Sequence, residues 1–230
     1  MASAFLDPIP ISSKEYAFTD SGNVISRSAK IYGASNIVIN GRSVIEKGCV
    51  IRGDLQRVVA TPGVGGSAGT MSMQLASNTT SVNAGRYLSV GQGTVLRPPG
   101  KLYKGTFNYF QMKMGDFVTI GQNCIVEAVS IGNGSEIEDD CIIGEFVTIK
   151  DFVIIEQGTV LSPNTVCPNL TRWAGNPGRL VDSLPESTPE TVEARVRANY
   201  KRYKVVKPES KPPSAAAATP RYPTSLSKNA

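Results

Sequence analysis

The chain has 230 residues and not one histidine. That absence removes the usual ligand of a catalytic zinc and the usual general base at neutral pH. Tryptophan occurs once and aromatic residues make up 7% of the chain. No apolar run approaches the roughly 18 residues that span a membrane. Met1 to Pro10 lacks a charged segment followed by a long apolar stretch, so the reading is of a soluble, intracellular protein without a secretory leader. The four cysteines (Cys49, Cys124, Cys141, Cys167) form no Cys-x-x-Cys pair and read as buried free thiols. The Asn-x-Ser/Thr triplets at Asn78, Asn133 and Asn169 then have no glycosylation role.

What is present is a register of six. Large aliphatic residues recur at Ile131, Ile137, Ile143, Ile149, Ile155 and Leu161, and four positions after each stands a small or β-branched one: Ser135, Cys141, Val147, Val153, Thr159 and Thr165. Six is the period of neither a helix nor an alternating strand. It fits a short strand plus a turn, with one long side chain per unit pointing into a narrow shared core. No unit buries its apolar face alone, so the units stack into a solenoid with parallel pairing between coils. The register returns at Ile39, Ile45 and Ile51, at Val90 and Leu96, and at Met114, Ile120 and Val126. From Val126 to Ile131 the step is five, which predicts a local irregularity there.

Charge is unevenly placed. Residues 201–230 carry seven basic residues and one acidic, a net of +6; the whole chain is +5, so residues 1–200 stand at −1. A nearly neutral body with a basic tail argues against nucleic acid as the partner, and residues 205–230, rich in Pro, Ala, Ser and Lys, read as a disordered tail. Residues 60–84 hold no charged residue and four glycines and read as a flexible insertion. Residues 97–113 hold Pro98, Pro99 and the rings Tyr103, Phe107, Tyr109 and Phe110 among lysines. This aromatic loop is the candidate partner-binding site; the alternative is that its rings fold back over the solenoid. After the Gly175–Gly178 turn, Thr188 and Pro189 mark a helix start, and Val192, Val196, Tyr200 and Tyr203 form a stripe that lays a helix over 189–204 along the solenoid. Residues 1–30 are expected to form an N-terminal segment and cap, 31–174 the β-helix and 175–188 a turn.

The six-residue register with its closing Gly175-Asn176-Pro177-Gly178 resembles the hexapeptide-repeat proteins. That resemblance implies an all-β, left-handed parallel β-helix with three flat faces; the hand comes from the resemblance alone, since general rules for parallel connections favour the opposite one. The runs Ser21-Gly22-Asn23-Val24-Ile25-Ser26-Arg27, Asn36 to Gly41, and Ile51-Arg52-Gly53-Asp54-Leu55, with Leu96-Arg97-Pro98-Pro99 and Leu184-Pro185-Glu186, are similar to the pointed-end subunits of dynactin, the subunit 5 family in particular. This implies a non-catalytic adaptor in the cytoplasm and on the microtubule cytoskeleton. Its implied partners are a second hexapeptide-repeat subunit of the subunit 6 type, other pointed-end subunits, an actin-related protein, and dynein adaptors or cargo. It implies neither a cofactor nor insertion into a membrane. Gamma-type carbonic anhydrases share the implied fold and an Arg-Gly-Asp matched by Arg52-Gly53-Asp54, but hold zinc with three histidines, and hexapeptide acyltransferases use a histidine base. Arg52 and Asp54 are therefore expected to form a structural ion pair, with no catalytic, metal or cofactor-binding residue. An enzyme of either kind is the alternative reading, with Glu127, Glu138 and Asp139 as solvent-facing carboxylates on repeat turns.

Overall fold

A computed structural model of the chain describes residues 8–62, 71–75, 80–103 and 105–205. The expected basic tail lies outside the described residues from 206 onward. The chain winds into a left-handed parallel β-helix of three faces. The first face stacks the strands Ile37–Ile39, Val82–Ala84, Met112–Met114, Ser130–Ile131, Thr148–Ile149 and Val166–Cys167. The third face stacks Lys30–Tyr32, Val50–Arg52, Val95–Leu96, Ile125–Val126, Ile142–Ile143 and Val160–Leu161. The second face runs in parallel from Val24–Ser26 through Val44–Ile45, Ser89–Val90, Thr119–Ile120, Glu136–Ile137 and Ile154–Ile155 to Thr171–Ala174. Antiparallel strands Tyr16–Phe18 and Arg179–Ser183 close its two ends.

The strands are two or three residues long because a triangular coil leaves only one inward side chain per face. That residue is fully covered: Ile137, Ile143, Ile149, Ile155 and Leu161 are each at most 1% exposed. The smaller residues of the register sit where the walls converge, with Ser135, Cys141, Val147, Val153 and Thr159 at 0%. Thr165, at the last coil with no rung beyond it, is only half-buried and donates its hydroxyl to Ser162 O. A regular coil takes eighteen residues, as from Ile143 to its partner Leu161. Val126 pairs instead with Ile143, seventeen residues on, and the short turn through the buried Ala128 absorbs the missing residue.

The corners explain how so tight a coil closes. At one corner the chain turns through the left-handed backbone region at Arg42 (φ 62), Tyr87 (φ 60), Phe117 (φ 60), Gly134 (φ 61), Phe152 (φ 55) and Leu170 (φ 55). A side chain in that region costs about 1–2 kcal/mol. Neighbouring coils offset the strain by binding one another's turn amides: Arg86, Asp116, Asn133 and Asp151 each donate a backbone N–H to the side-chain Oδ1 of Asp116, Asn133, Asp151 and Asn169 in turn. Two of the three Asn-x-Ser/Thr asparagines thus serve as turn acceptors. The bulky corner residues form a rail outside the solenoid, with Tyr87 and Phe117 stacked at 5.1 Å.

The helix Thr188–Arg202 docks on this rail. Val192 and Val196 pack with Tyr87 and Phe117, and Arg197 lies 5.0 Å over the Phe117 ring. Tyr200 donates its hydroxyl to Gly22 O at 2.6 Å. The expected helix shifts by one or two residues at its ends: Ser187 is the N-cap, and Tyr203 lies beyond the helix in a strand, Tyr203–Val205, parallel to Ile9–Ile11. A helical position for Tyr203 is lost because its hydroxyl reaches Glu46 at 2.7 Å and its ring joins Ile9, Ile11 and Tyr16.

Three expected boundaries change for a related reason, that strand pairing recruits more chain than the register shows. The second face begins at Val24, so the solenoid starts inside the expected 1–30 cap. The expected turn 175–188 holds the strand Arg179–Ser183. The expected insertion 60–84 is not a plain loop either: Val58–Pro62 and Met71–Leu75 pair as an antiparallel hairpin, and Val82–Ala84 is a rung of the first face.

Two predictions follow from the packing. Ile137→Ala, at a fully buried rung, lowers the unfolding free energy by about 2–5 kcal/mol in a denaturant titration, while Ile142→Thr, on an outward-facing position, changes it by less than about 1 kcal/mol. Gly134→Ala destabilises more than Gly158→Ala in the same titration. Both are left-handed, but a Cβ at Gly134 meets the Phe152 ring at 2.4 Å and one at Gly158 meets nothing within 4 Å.

Candidate interaction site

Arg52 and Asp54 leave the third face at its corner, where the chain turns through Gly53. Arg52 donates Nε and Nη2 to the two carboxylate oxygens of Asp54, each at 2.7 Å, and its guanidinium lies 5.5 Å over the Tyr32 ring. This bidentate fork holds the Asp54 carboxyl below its ordinary value, the hydrogen bond from Arg52 being the largest cause. A group so engaged on both oxygens is a poor proton acceptor. The guanidinium gains from the same contact, its pKa raised first by Asp54.

The residues 97–113 fold as an antiparallel hairpin, Gly100–Tyr103 against Thr106–Tyr109, projecting from the β-helix between two rungs of the stack. The four rings divide. Tyr103 is 45% exposed and Phe107 50%, at the outer part of the hairpin, with Leu102 beside them also exposed. Tyr109 and Phe110, at its base, are half-buried and line a cavity of about 420 Å³ with Leu55, Arg57 and Ser81. Phe110 packs edge-on against Phe146 at 5.4 Å, and Lys101 Nζ stands 5.2 Å and 5.0 Å over those two rings. Hairpin geometry sorts them: Tyr103 pairs with Thr106 next to the turn, whereas Tyr109 pairs with Gly100 at the solenoid wall.

The carboxylates are occupied as turn fittings. Glu127 is ion-paired with Arg97 and largely covered, not solvent-facing as the sequence suggests, because the Arg97 and Glu127 rungs are adjacent on the third face. Glu138 accepts the backbone N–H of Gln157, and Asp139 that of Gln122. The thiols are fully buried. Burial pushes Cys49 up to about 11 and Cys167 up to about 12. Cys124 and Cys141 lie on adjoining coils, where Cys124 Sγ donates to Glu138 O and Cys141 Sγ to Glu156 O; their mutual interaction pulls the first thiol down and pushes the second up, with burial opposing ionisation at both. Among the described residues no three Cys, Asp or Glu side chains converge where a metal ion is held. Nor is any described helix long and apolar enough to cross a membrane.

With this geometry in view, comparison with known proteins decides the family. A family model described as Dynactin subunit 5 matches residues 64–207. Dynactin subunit 5 of Dictyostelium discoideum is 31% identical over 197 residues, 86% of this chain and 87% of that protein. The chain belongs to the dynactin subunit 5 family. Gamma carbonic anhydrase 1, mitochondrial, of Arabidopsis thaliana is 27% identical over 190 residues, which is 78% of this chain but only 53% of that protein. Among solved structures, a hexapeptide transferase family protein from Anaplasma phagocytophilum superposes with a TM-score of 0.47 at 18% identity, over 84% of this chain and 93% of that one.

The features that the sequence alone does not show are the outward-facing ones, the corner rail of Tyr87, Phe117 and Phe152 and the aliphatic column on the third face. The rail carried one signal: Tyr87, Phe117, Phe152 and Leu170 stand at corresponding corner places after a polar or charged residue (Arg86, Asp116, Asp151, Asn169), with Gly134 in the coil between Phe117 and Phe152.

The Arg52–Asp54 pair yields a pH prediction. Its folded carboxyl is depressed, so its contribution is present above the unfolded value of about 4 and is lost as pH falls through the folded one. Asp54→Asn therefore lowers the unfolding free energy slightly at pH 7, by no more than about 1 kcal/mol for so exposed a pair, and the gap between variant and parent closes in denaturant titrations run towards pH 2.

Proposed function

We propose that the chain is a non-catalytic structural and adaptor subunit of the dynactin pointed-end complex, and that it helps couple cytoplasmic dynein to cargo such as endosomes for microtubule-based transport. It works in the cytoplasm, on the cytoskeleton. Its partners are a second hexapeptide-repeat subunit of the subunit 6 type, other pointed-end subunits with an actin-related protein, and dynein adaptors or cargo. Family membership carries this reading. Three observations support it: the chain has no histidine to hold a catalytic zinc or to act as base, its Arg-Gly-Asp aspartate is locked by the neighbouring arginine, and its exposed rings stand on a projecting hairpin.

In this reading Tyr103 and Phe107 are the hairpin residues that meet a partner, with Tyr109 and Phe110 setting the hairpin's angle to the wall. Aromatic side chains bury much area for little lost rotamer freedom, which suits an anchor. The likeness to gamma carbonic anhydrase gives the second reading, a metal-dependent hydration enzyme.

Affinity purification of the tagged chain from its own cells tests the assignment. Co-recovery of a second hexapeptide-repeat subunit and an actin-related protein is expected; recovery of this chain alone overturns it. Stoichiometric zinc with carbon dioxide hydration by the pure protein would establish the enzyme reading instead. Within the complex, Tyr103→Ser combined with Phe107→Ser reduces recovery of at least one partner while the chain still unfolds cooperatively, the loss of the edge-on Phe107–Tyr109 contact costing only about 1 kcal/mol. Phe110→Ala, by contrast, lowers stability by about 2 kcal/mol through loss of the Phe146 contact.

A further inference from the structure

The three flat faces of the β-helix differ in what they show to the outside. On the second face the outward residues Val24 and Val44 are already buried beneath Ile11, Tyr16 and Tyr200, and Glu136 is paired with Arg195 of the helix. The outward column of the first face is mainly polar, running Val38, Asn83, Lys113, Ser130, Thr148 and Val166 in register. The third face differs. Its outward column begins at Lys30 and then runs Val50, Val95, Ile125, Ile142 and Val160 on five successive rungs. Ile125 is 42% and Ile142 44% exposed, and the three valines are half-exposed.

An unbroken aliphatic column on an outward surface is unfavourable in water and marks an interaction surface. Two further properties suit this one to docking. Every member is β-branched and therefore stiff, so little side-chain freedom is lost when it is covered. Four charged residues beside it are internally neutralised, Arg52 by Asp54 and Arg97 by Glu127, and the exposed Lys30, in register with Val50, stands at the end of the column rather than within it.

We infer that the third face is the docking surface for a second hexapeptide-repeat chain, which lays a flat face of its own across Val50, Val95, Ile125, Ile142 and Val160. The choice of occupant rests on shape and area. Rungs spaced about 4.8 Å apart make the column a flat ladder about 19 Å tall, and two such ladders interdigitate at about 10 Å separation. Six strands give a face about 29 Å by 12 Å, and covering it on both partners removes roughly 700 Å² from water, below the roughly 1,200 Å² of free-standing specific interfaces. That area suits a subunit held in a larger assembly better than a free-standing homodimer. The inference rests on the proposed place of the chain beside a second hexapeptide-repeat subunit and names the surface that would be used there.

The test is the affinity of the full chain for the purified second hexapeptide-repeat subunit of dynactin, measured by titration calorimetry. Ile125→Glu combined with Ile142→Glu is expected to weaken binding about tenfold or more. Val38→Glu combined with Val166→Glu, on the first face, is expected to leave it unchanged. Hydroxyl-radical footprinting of the unsubstituted complex gives an answer independent of whether the variants fold: labelling of Ile125 and Ile142 falls on binding while that of Val38 and Val166 does not. Unsubstituted chain that fails to bind the subunit sinks the pointed-end assignment itself. Binding that survives the third-face substitutions, or is lost with the first-face ones, overturns the surface. Self-association of the chain through this column, with subunit binding unaffected by the third-face pair, overturns the choice of occupant.

Discussion

The rest of the structure depends on one constraint, that each coil must turn three corners within about eighteen residues while stacking its inward side chains directly on those of the next. The stacking supplies the apolar burial, and the corners supply the strain. Left-handed backbone at Tyr87, Phe117, Phe152 and Leu170 is unfavourable for each residue taken singly. It persists because every corner is held from both sides, by the ladder hydrogen bonds of neighbouring strands and by the Asp and Asn side chains that accept the amides of the turn below. Stability of this kind is shared between neighbouring coils, and the ends are where it runs out. Both ends of the second face are accordingly closed by antiparallel strands, and the C-terminal strand returns to pair with Ile9–Ile11.

The same constraint divides the labour between inside and outside. The interior is fixed by packing: its thiols are buried and the Ser135 and Thr159 hydroxyls bind backbone carbonyls of the turns. What varies from rung to rung faces outward. One corner became a rail for the helix, one coil sends out the aromatic hairpin, and the third face carries an aliphatic column. The scaffold of this member of the dynactin subunit 5 family thus carries distinct outward surfaces on a common core.

The fold was legible because burial in a triangular solenoid imposes a period of six that nothing else imposes, and the interruption after Val126 proved to be a coil of seventeen. The site was legible only as far as its residue types. The cluster Tyr103, Phe107, Tyr109 and Phe110 is visible in the chain, but its division into exposed tip and half-buried base follows from a hairpin register that no local pattern states. Residues 60–84 look uniform in composition, yet part of the segment is a paired hairpin and part a rung. Strand pairing there is decided by what lies one coil away. Tyr203 continues a helical stripe on paper and sits in a strand because Ile9 and Glu46 are waiting for it.

By itself, then, the sequence determined the repeat, the core that fills it and the absence of any imidazole from the chain. Those properties depend on residue identity and on spacing within one coil. The tertiary structure alone decided which outward residues stand together. Val50, Val95, Ile125, Ile142 and Val160 are 45, 30, 17 and 18 positions apart in sequence and consecutive in space, because insertions and the short turn change the length of a coil without changing its rung. A surface assembled from unequal steps has no period to read. It exists only once the coils are stacked.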